Sequence, residues 1–479
     1  AMAKEYRFYC AGEWRSSDQP LDVINPYNGE VVGTTSFATD QDLEDAITAA
    51  ERAFDETRRL QSYERAAILE RLADGLEARQ EEFARLMAQE AGKPIRDART
   101  EVARGVFTLR TAVEEAKRIG GELIPLDWMA SSQGRFGVTR RFPIGPIAGI
   151  SPFNFPLNLA LHKLAPAIAS GNTIVLKPPT HDPLTMLTFA ELVDEAGLPK
   201  GAVSIMPMDR TVGDRLVTDP RFKMLSFTGS PAVGWDMKAR AGKKKVVLEL
   251  GGNAGVVVDK SANLPLAVSR VRVGAFAYAG QVCISVQRVY VHRSRFDEFV
   301  EKFVAAVKEI KIGDPLDEAT ELGPMIDEKA AARTEDWVNT AVSEGARVLI
   351  GGKAEGRFFQ PTVLVDVPPK SFVCSREAFA PLVNLFPFDD FEEALAAVND
   401  SEYGLQAGVF TNRLEHALRA WEVLEVGGVI INDIPTYRID HMPYGGVKDS
   451  GLSREGLRYA IEDMTEPRLM VVNRVPDED

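Results

Sequence analysis

Ile147-Ala148-Gly149-Ile150-Ser151-Pro152-Phe153-Asn154 opens the stretch that decides the fold, because there the period of the sequence changes. From this point short, almost wholly apolar runs alternate with runs of helical spacing. Ile147 to Ile150 precedes a helix expected over 157–170, and Thr173 to Leu176 precedes one over 184–196 that Gly197 and Pro199 end. Val203 to Met206 leads to a helix near 212–217, Met224 to Phe227 to one over 232–241, and Val246 to Leu248 follows. Strands that are apolar throughout are buried on both faces, so the pattern predicts a parallel sheet covered by helices. Such a doubly wound α/β unit holds its ligand beyond the carboxyl ends of the strands.

Outward from this core the chain reads in three further parts. After Gly251 a second α/β unit is expected, with strands over 255–258, 288–291, 362–365, 408–410 and 429–431 and helices near 296–309, 328–344, 391–399 and 414–425. Ahead of Ile147, short strands and a turn at Asn25-Pro26-Tyr27-Asn28-Gly29 give way to helices over 42–60, from Ser62, to about Ala91 and over 98–119. Their apolar residues fall on single faces, and they read as packing helices. Residues 121–141 leave this pattern and predict a protruding hairpin, whose strand would pair with another chain or with a last strand over 467–472.

With 479 residues, 45% of them hydrophobic, the chain is long enough for two or three cooperating domains. The net charge of −14, with acidic and basic residues interleaved, argues against nucleic acid or an anionic membrane as partner. The most apolar region, 147–169, is interrupted by Pro152, Pro156 and Pro166 and carries His162 and Lys163, so no membrane span is expected. No secretory leader is visible, and Cys10, Cys283 and Cys374 stand apart with no C-x-x-C pair. A cytoplasmic protein without disulfides is expected. The five histidines include no H-E-x-x-H and no ligand-spaced group, so no metal is expected.

Chemistry-bearing residues collect at the strand ends. Asn154 follows the first strand, and Lys177-Pro178-Pro179-Thr180 follows the second. Thr228-Gly229-Ser230 opens a helix whose free N–H groups suit a phosphate. Glu249 ends an apolar strand beside Gly251 and Gly252, where a buried carboxylate is costly unless it is used. Cys283 lies between a helical run over 264–279 and a strand beginning near Val286. A cysteine alone is more often a small buried hydrophobe than a nucleophile.

In this order, Pro-Phe-Asn-Phe-Pro, Lys-Pro, Phe-Thr-Gly-Ser, Leu-Glu-Leu-Gly-Gly-Asn, Gly-Gln-x-Cys, Glu-x-Phe-x-Pro and Pro-Tyr-Gly-Gly-Val-Lys-x-Ser-Gly make the chain resemble the aldehyde dehydrogenase superfamily over nearly its whole length. The resemblance implies a Rossmann-like cofactor domain over 1–120 and 142–250, a catalytic α/β domain over 251–450, and a small β oligomerisation element over 121–141 and 458–479. It also implies a homodimer or homotetramer.

The resemblance further implies that Cys283 attacks an aldehyde carbonyl and that Asn154 with the Cys283 backbone N–H stabilises the oxyanion. Glu249 would be the base that activates cysteine or water. Phe153, Lys177, Gly229, Ser230, Glu377 and Phe379 match cofactor-binding positions. Lys163 and Glu455 match positions linked to proton relay, with a surface salt-bridge role weighing equally. Many NAD-preferring members carry glutamate where this chain has Thr180, so NADP is expected to be accepted beside NAD, and Arg210 lies where it could reach the added phosphate.

His162, Tyr437, Arg438 and Tyr444 are expected around the substrate, together with Thr436, making a polar mouth for a short polar aldehyde. A CoA-acylating dehydrogenase and a non-catalytic protein on the same scaffold are the alternatives. Glu249 argues against the first, and Cys283, Glu249 and Asn154 together argue against the second.

Overall fold

A computed structural model describes residues 2–475 and Asp477. Its first sheet has eight strands in the order Gly451–Leu452, Lys245–Glu249, Met224–Thr228, Ile147–Ile150, Ile174–Lys177, Val203–Ile205, Phe8–Cys10 and Glu13–Arg15. The middle five run parallel, each fully apolar run pairing with the next. Strand order reverses beside Ile147–Ile150, since the strands that follow it in sequence extend to one side and Met224–Thr228 lies on the other. That reversal opens a crevice at the carboxyl ends, the place where such sheets hold a ligand.

The second sheet has seven strands in the order Arg347–Ile350, Thr362–Val365, Leu382–Phe388, Val286–His292, Ala254–Val258, Gln406–Phe410 and Gly428–Ile431. Leu382–Phe388 is a central strand absent from the sequence reading. Asn384 and Pro387 interrupt its apolar run, and the buried Asn384 Nδ2 donates to the carbonyls of Gln287 at 3.1 Å and Val373 at 2.8 Å.

Helix ends follow local chemistry. Asp40–Thr57 starts two residues earlier than the expected 42 because Thr39 and Asp42 form a reciprocal cap, each side chain accepting from the other's backbone N–H. The long helix expected over 98–119 runs Ile95–Ala116, starting directly after Pro94.

The third sheet is small. Thr465–Asn473 pairs antiparallel along the whole of Arg135–Pro143, and Leu123–Pro125 lies on that strand's other side. The 121–141 segment therefore does meet the C-terminal strand of its own chain. Thr465–Asn473 is left as an edge with Leu469, Met470 and Val471 all at least half exposed. No helix among the described residues is long and apolar enough to cross a membrane.

Candidate active site

The helix expected to run through residue 279 stops at Phe276. Tyr278 and Ala279 then take left-handed backbone angles, with φ of 46° and 53°, and Gly280 follows at 70°. Two features hold this unusual turn. The Tyr278 hydroxyl donates to the Ala91 carbonyl at 2.5 Å. Gly280 packs so closely that a Cβ there would lie 2.0 Å from the Ala380 carbonyl oxygen. The turn delivers Cys283 to a cavity of about 170 Å³ between the two large sheets.

Glu249 reaches the same cavity from the end of the first sheet. Cys283 Sγ donates to its Oε2 at 3.8 Å, and the Tyr444 hydroxyl donates to its Oε1 at 3.4 Å. Burial, with the Glu455 charge adding to it, pushes the Glu249 carboxyl up to about 8. Burial and the Glu249 and Glu377 carboxyls push the Cys283 thiol well above its ordinary range. The thiol and the carboxyl thus face each other inside the cavity, joined by one hydrogen bond.

Asn154 also lines the cavity. It is buried, yet neither its Oδ1 nor its Nδ2 has a partner among the described residues. An orphaned buried amide is expensive unless a ligand completes it. Its place beside Cys283 suits an oxygen that gains charge when sulfur adds to a carbonyl.

The crevice side carries groups of the kinds a dinucleotide needs. Gly251 and Gly252 form a cradle that a side chain would fill, since a Cβ would fall 2.3 Å from Glu377 Oε2 and 2.6 Å from the Cys283 carbonyl oxygen, respectively. Glu377 accepts from the Gly252 N–H at 3.1 Å, and burial raises its carboxyl to about 7. Ser230 caps Pro231–Arg240 without any side-chain capping bond, leaving that helix start available. Lys177 has its ammonium pKa lowered by burial, with the Asp209 charge opposing, and forms no ion pair among the described residues. Phe153 stands edge-on to Phe379 at 5.9 Å and to His181 at 6.2 Å. Thr180, His181 and Arg210 are exposed at the rim. These groups fit a dinucleotide: acceptors for hydroxyls, a cation, and a helix start with free N–H groups for phosphate. His181 was missed in the sequence because it follows Thr180 without any motif of its own.

Two residues expected around the substrate are not among those lining this cavity. His162 is buried away from the cavity lining, with Nε2 at 2.8 Å from Asp440 Oδ1. Burial and the neighbouring Arg438 lower its pKa, with the Asp440 and Glu455 carboxylates opposing. Asp440 draws it inward while also taking Asn158 Nδ2 at 2.9 Å and Arg104 at 3.0 Å. Tyr437 also lies outside the lining; its ring is exposed, and its carbonyl accepts from Gln406 at 2.9 Å. Arg438, Tyr444 and Thr436 do line the cavity. Lys163 and Glu455 are both buried, so neither sits in a surface salt bridge. Lys163 donates to Ser226 and Thr228, each at 3.0 Å, and Glu455 pairs with Arg438 at 3.1 Å.

The helix Ile95–Ala116 is more than packing. It places Thr100, Glu101 and Arg104 in the cavity wall. Glu101 accepts from the N–H groups of Leu157 and Asn158, each at 3.0 Å, and so caps the helix Asn158–Ser170 that follows Asn154. It also pairs with buried Lys93, whose ammonium lies 3.9 Å from the Phe155 ring centroid. The available signal was a glutamate on the apolar stripe between Ala98 and Gly105.

The chain belongs to the aldehyde dehydrogenase family, whose profile matches residues 14–470. It is an enzyme of NAD(P)-dependent aldehyde oxidation. It is 46% identical over 473 residues to a 3-sulfolactaldehyde dehydrogenase of Priestia aryabhattai, covering 98% of this chain and 99% of the relative. Among solved structures, aldehyde dehydrogenase 21 of Physcomitrella patens, in complex with the reaction product succinate, superposes with a TM-score of 0.97 at 47% identity, covering 99% of each chain. A glyceraldehyde-3-phosphate dehydrogenase of Methanocaldococcus jannaschii complexed with NADP gives a TM-score of 0.92 at 40% identity, over 96% of this chain and 100% of that one.

Proposed function

We propose that the chain oxidises a short polar or anionic aldehyde to its carboxylic acid, with Cys283 as nucleophile, Glu249 as base and Asn154 as oxyanion donor. The unpartnered, buried Asn154 amide beside the Cys283–Glu249 pair carries this reading. Glu249 removes the thiol proton, sulfur adds to the aldehyde carbon, and the Asn154 Nδ2 donates to the oxygen as charge develops there. When bound, the nicotinamide supplies the acceptor for the hydride that leaves this carbon. A thioester remains on Cys283, and Glu249, once it has passed the thiol proton to solvent, takes a proton from the water that hydrolyses it.

The substrate class rests on the cavity wall. Phe155, Leu159, Val282 and Ile284 give it apolar sides, while Arg104, Arg438, Thr100 and Thr436 supply donors. The Arg438 Nε is buried without a partner and is available to a substrate oxygen. The small volume suits a short molecule, in line with the sulfolactaldehyde and succinate named for the relatives. Glu249, in place to activate water, favours hydrolysis over transfer to CoA.

Phe153, Lys177, Thr180, Gly229, Ser230, Glu377 and Phe379 are assigned to the dinucleotide. NADP is accepted because Thr180 places no carboxylate against a 2′-phosphate. The proposed division is a cofactor domain over 1–120 and 142–250, a catalytic domain over 251–450 and an oligomerisation element over 121–141 and 458–479. The exposed apolar edge Thr465–Asn473 supports self-association into a dimer or tetramer. The three free cysteines suit a reducing cytoplasm.

The test is reduced-nicotinamide and acid formation over a panel of hydroxy, sulfo, carboxy and aliphatic aldehydes, with NAD and with NADP and without CoA, using Cys283→Ala as control. Turnover on anionic short aldehydes that vanishes in the variant supports the assignment. Turnover only after addition of CoA overturns the hydrolytic reading.

A further inference from the structure

We propose that Tyr444 is a positioning residue for hydrolysis: its hydroxyl donates to Glu249 Oε1 and so keeps Oε2 turned toward Cys283 after the thiol proton has gone. The inference rests on Glu249 being the base assigned above. Among the described residues, only two donors reach the Glu249 carboxyl, Cys283 Sγ at 3.8 Å and Tyr444 Oη at 3.4 Å. In the thioester, sulfur carries no proton. The phenol is then the one donor among the described residues left to orient the base.

The phenol is well fixed for this task. Tyr444 exchanges two backbone hydrogen bonds with Glu455, at 3.1 and 2.6 Å. Its ring lies under the Arg438 guanidinium, whose carbon is 3.8 Å from the ring centroid, and Arg438 is tied in turn to Glu455 at 3.1 Å. Burial and the neighbouring Glu249 and Cys283 hold the hydroxyl well above its ordinary pKa, so it stays a donor throughout.

In the step itself, water oxygen bonds to the acyl carbon while one water proton passes to Glu249. Collapse of the tetrahedral intermediate breaks the C–S bond, its electron pair leaves with the Cys283 sulfur, and the proton on Glu249 returns to sulfur or to solvent. Tyr444 neither gains nor loses a proton.

The experiment uses p-nitrophenyl acetate without nucleotide, which acylates a reactive thiol and separates the two halves of the reaction. The p-nitrophenolate burst reads acylation, and the steady state reads deacylation. Tyr444→Phe is expected to keep a burst of one per active site, to slow the steady state about tenfold, and to move the acid limb of the deacylation profile to higher pH, because a donor to the carboxylate is gone. In the Glu249→Gln background the same change is expected to add nothing.

Deacylation by Tyr444→Phe at the parent rate and with the parent pH profile overturns the proposal, as does a parallel loss of burst and steady state. Glu249→Gln deacylating at the parent rate instead overturns the assignment of Glu249, which is a separate failure.

Discussion

Gly251 and Glu377 share one volume: a Cβ on the glycine would lie 2.3 Å from Glu377 Oε2. The carboxylate can hold its place, accepting from the Gly252 N–H, only while residue 251 has no side chain. Gly251→Ala is therefore expected to push Glu377 out of the crevice. Overpacking of this kind costs about 1–3 kcal/mol, which corresponds to about 5- to 150-fold weaker nucleotide binding. Fluorescence titration with NADPH checks this, with thermal unfolding showing that the variant remains folded.

Asn154→Ala removes an amide that makes no hydrogen bond within the protein. The expected effect is a fall in kcat of about 10²–10³ from the loss of one oxyanion donor, with little change in thermal stability. Steady-state kinetics and a melting curve measured together separate the two.

Thr180→Glu places a carboxylate on the exposed rim beside His181. The change should weaken NADP relative to NAD by about tenfold or more, since a like charge would face the 2′-phosphate. The ratio of kcat/KM for the two nucleotides is the measurement.

Activity should rise with pH. The Glu249 carboxyl, raised to about 8 by burial and by Glu455, is protonated at lower pH and cannot act as base there. A pH profile of kcat/KM is expected to climb through that region, and Glu249→Gln should remove both the climb and most of the rate.

Stability should move the other way at a second buried site. Glu90 accepts from the N–H groups of Leu184 and Thr185, yet burial lifts its carboxyl from 4.5 to about 7. Asp182, buried with neither oxygen partnered among the described residues, is raised by burial and by the Glu90 and Glu101 charges. The native state thus binds more protons than the unfolded chain between the two Glu90 values, and stability falls as pH rises through that window. Asp182→Asn should flatten the dependence in denaturant unfolding followed from pH 5 to pH 8.

Much of this architecture was legible in the sequence, and the exceptions have physical causes. The first sheet was readable because its middle strands are apolar on both faces, a pattern only burial between helix layers requires. Leu382–Phe388 was hidden because a buried asparagine can sit in a central strand once two carbonyls accept from it. Cys283, Glu249 and Asn154 stood out because each is a reactive or polar group at the end of an apolar run, and the structure brings all three to one cavity. The pairing of His162 with Asp440 could not be read, because Asp440 lies in a distant loop and no local spacing reports such a contact. Arg104 was overlooked for the same reason: its partner is again Asp440.

The short strand Gly451–Leu452, antiparallel to Lys245–Glu249, bears on how the protein is made. Chains emerge from the ribosome amino end first and fold as they emerge. The cofactor-side sheet must therefore wait, with the outer edge of Lys245–Glu249 uncovered, while the next two hundred or so residues are synthesised. During that interval the strand bearing Glu249 offers unpaired backbone groups to any neighbouring nascent chain. Completion of the sheet edge beside Glu249 is thus among the last events of biosynthesis, and a ribosome stalled short of Gly451 would release a chain with an adhesive edge.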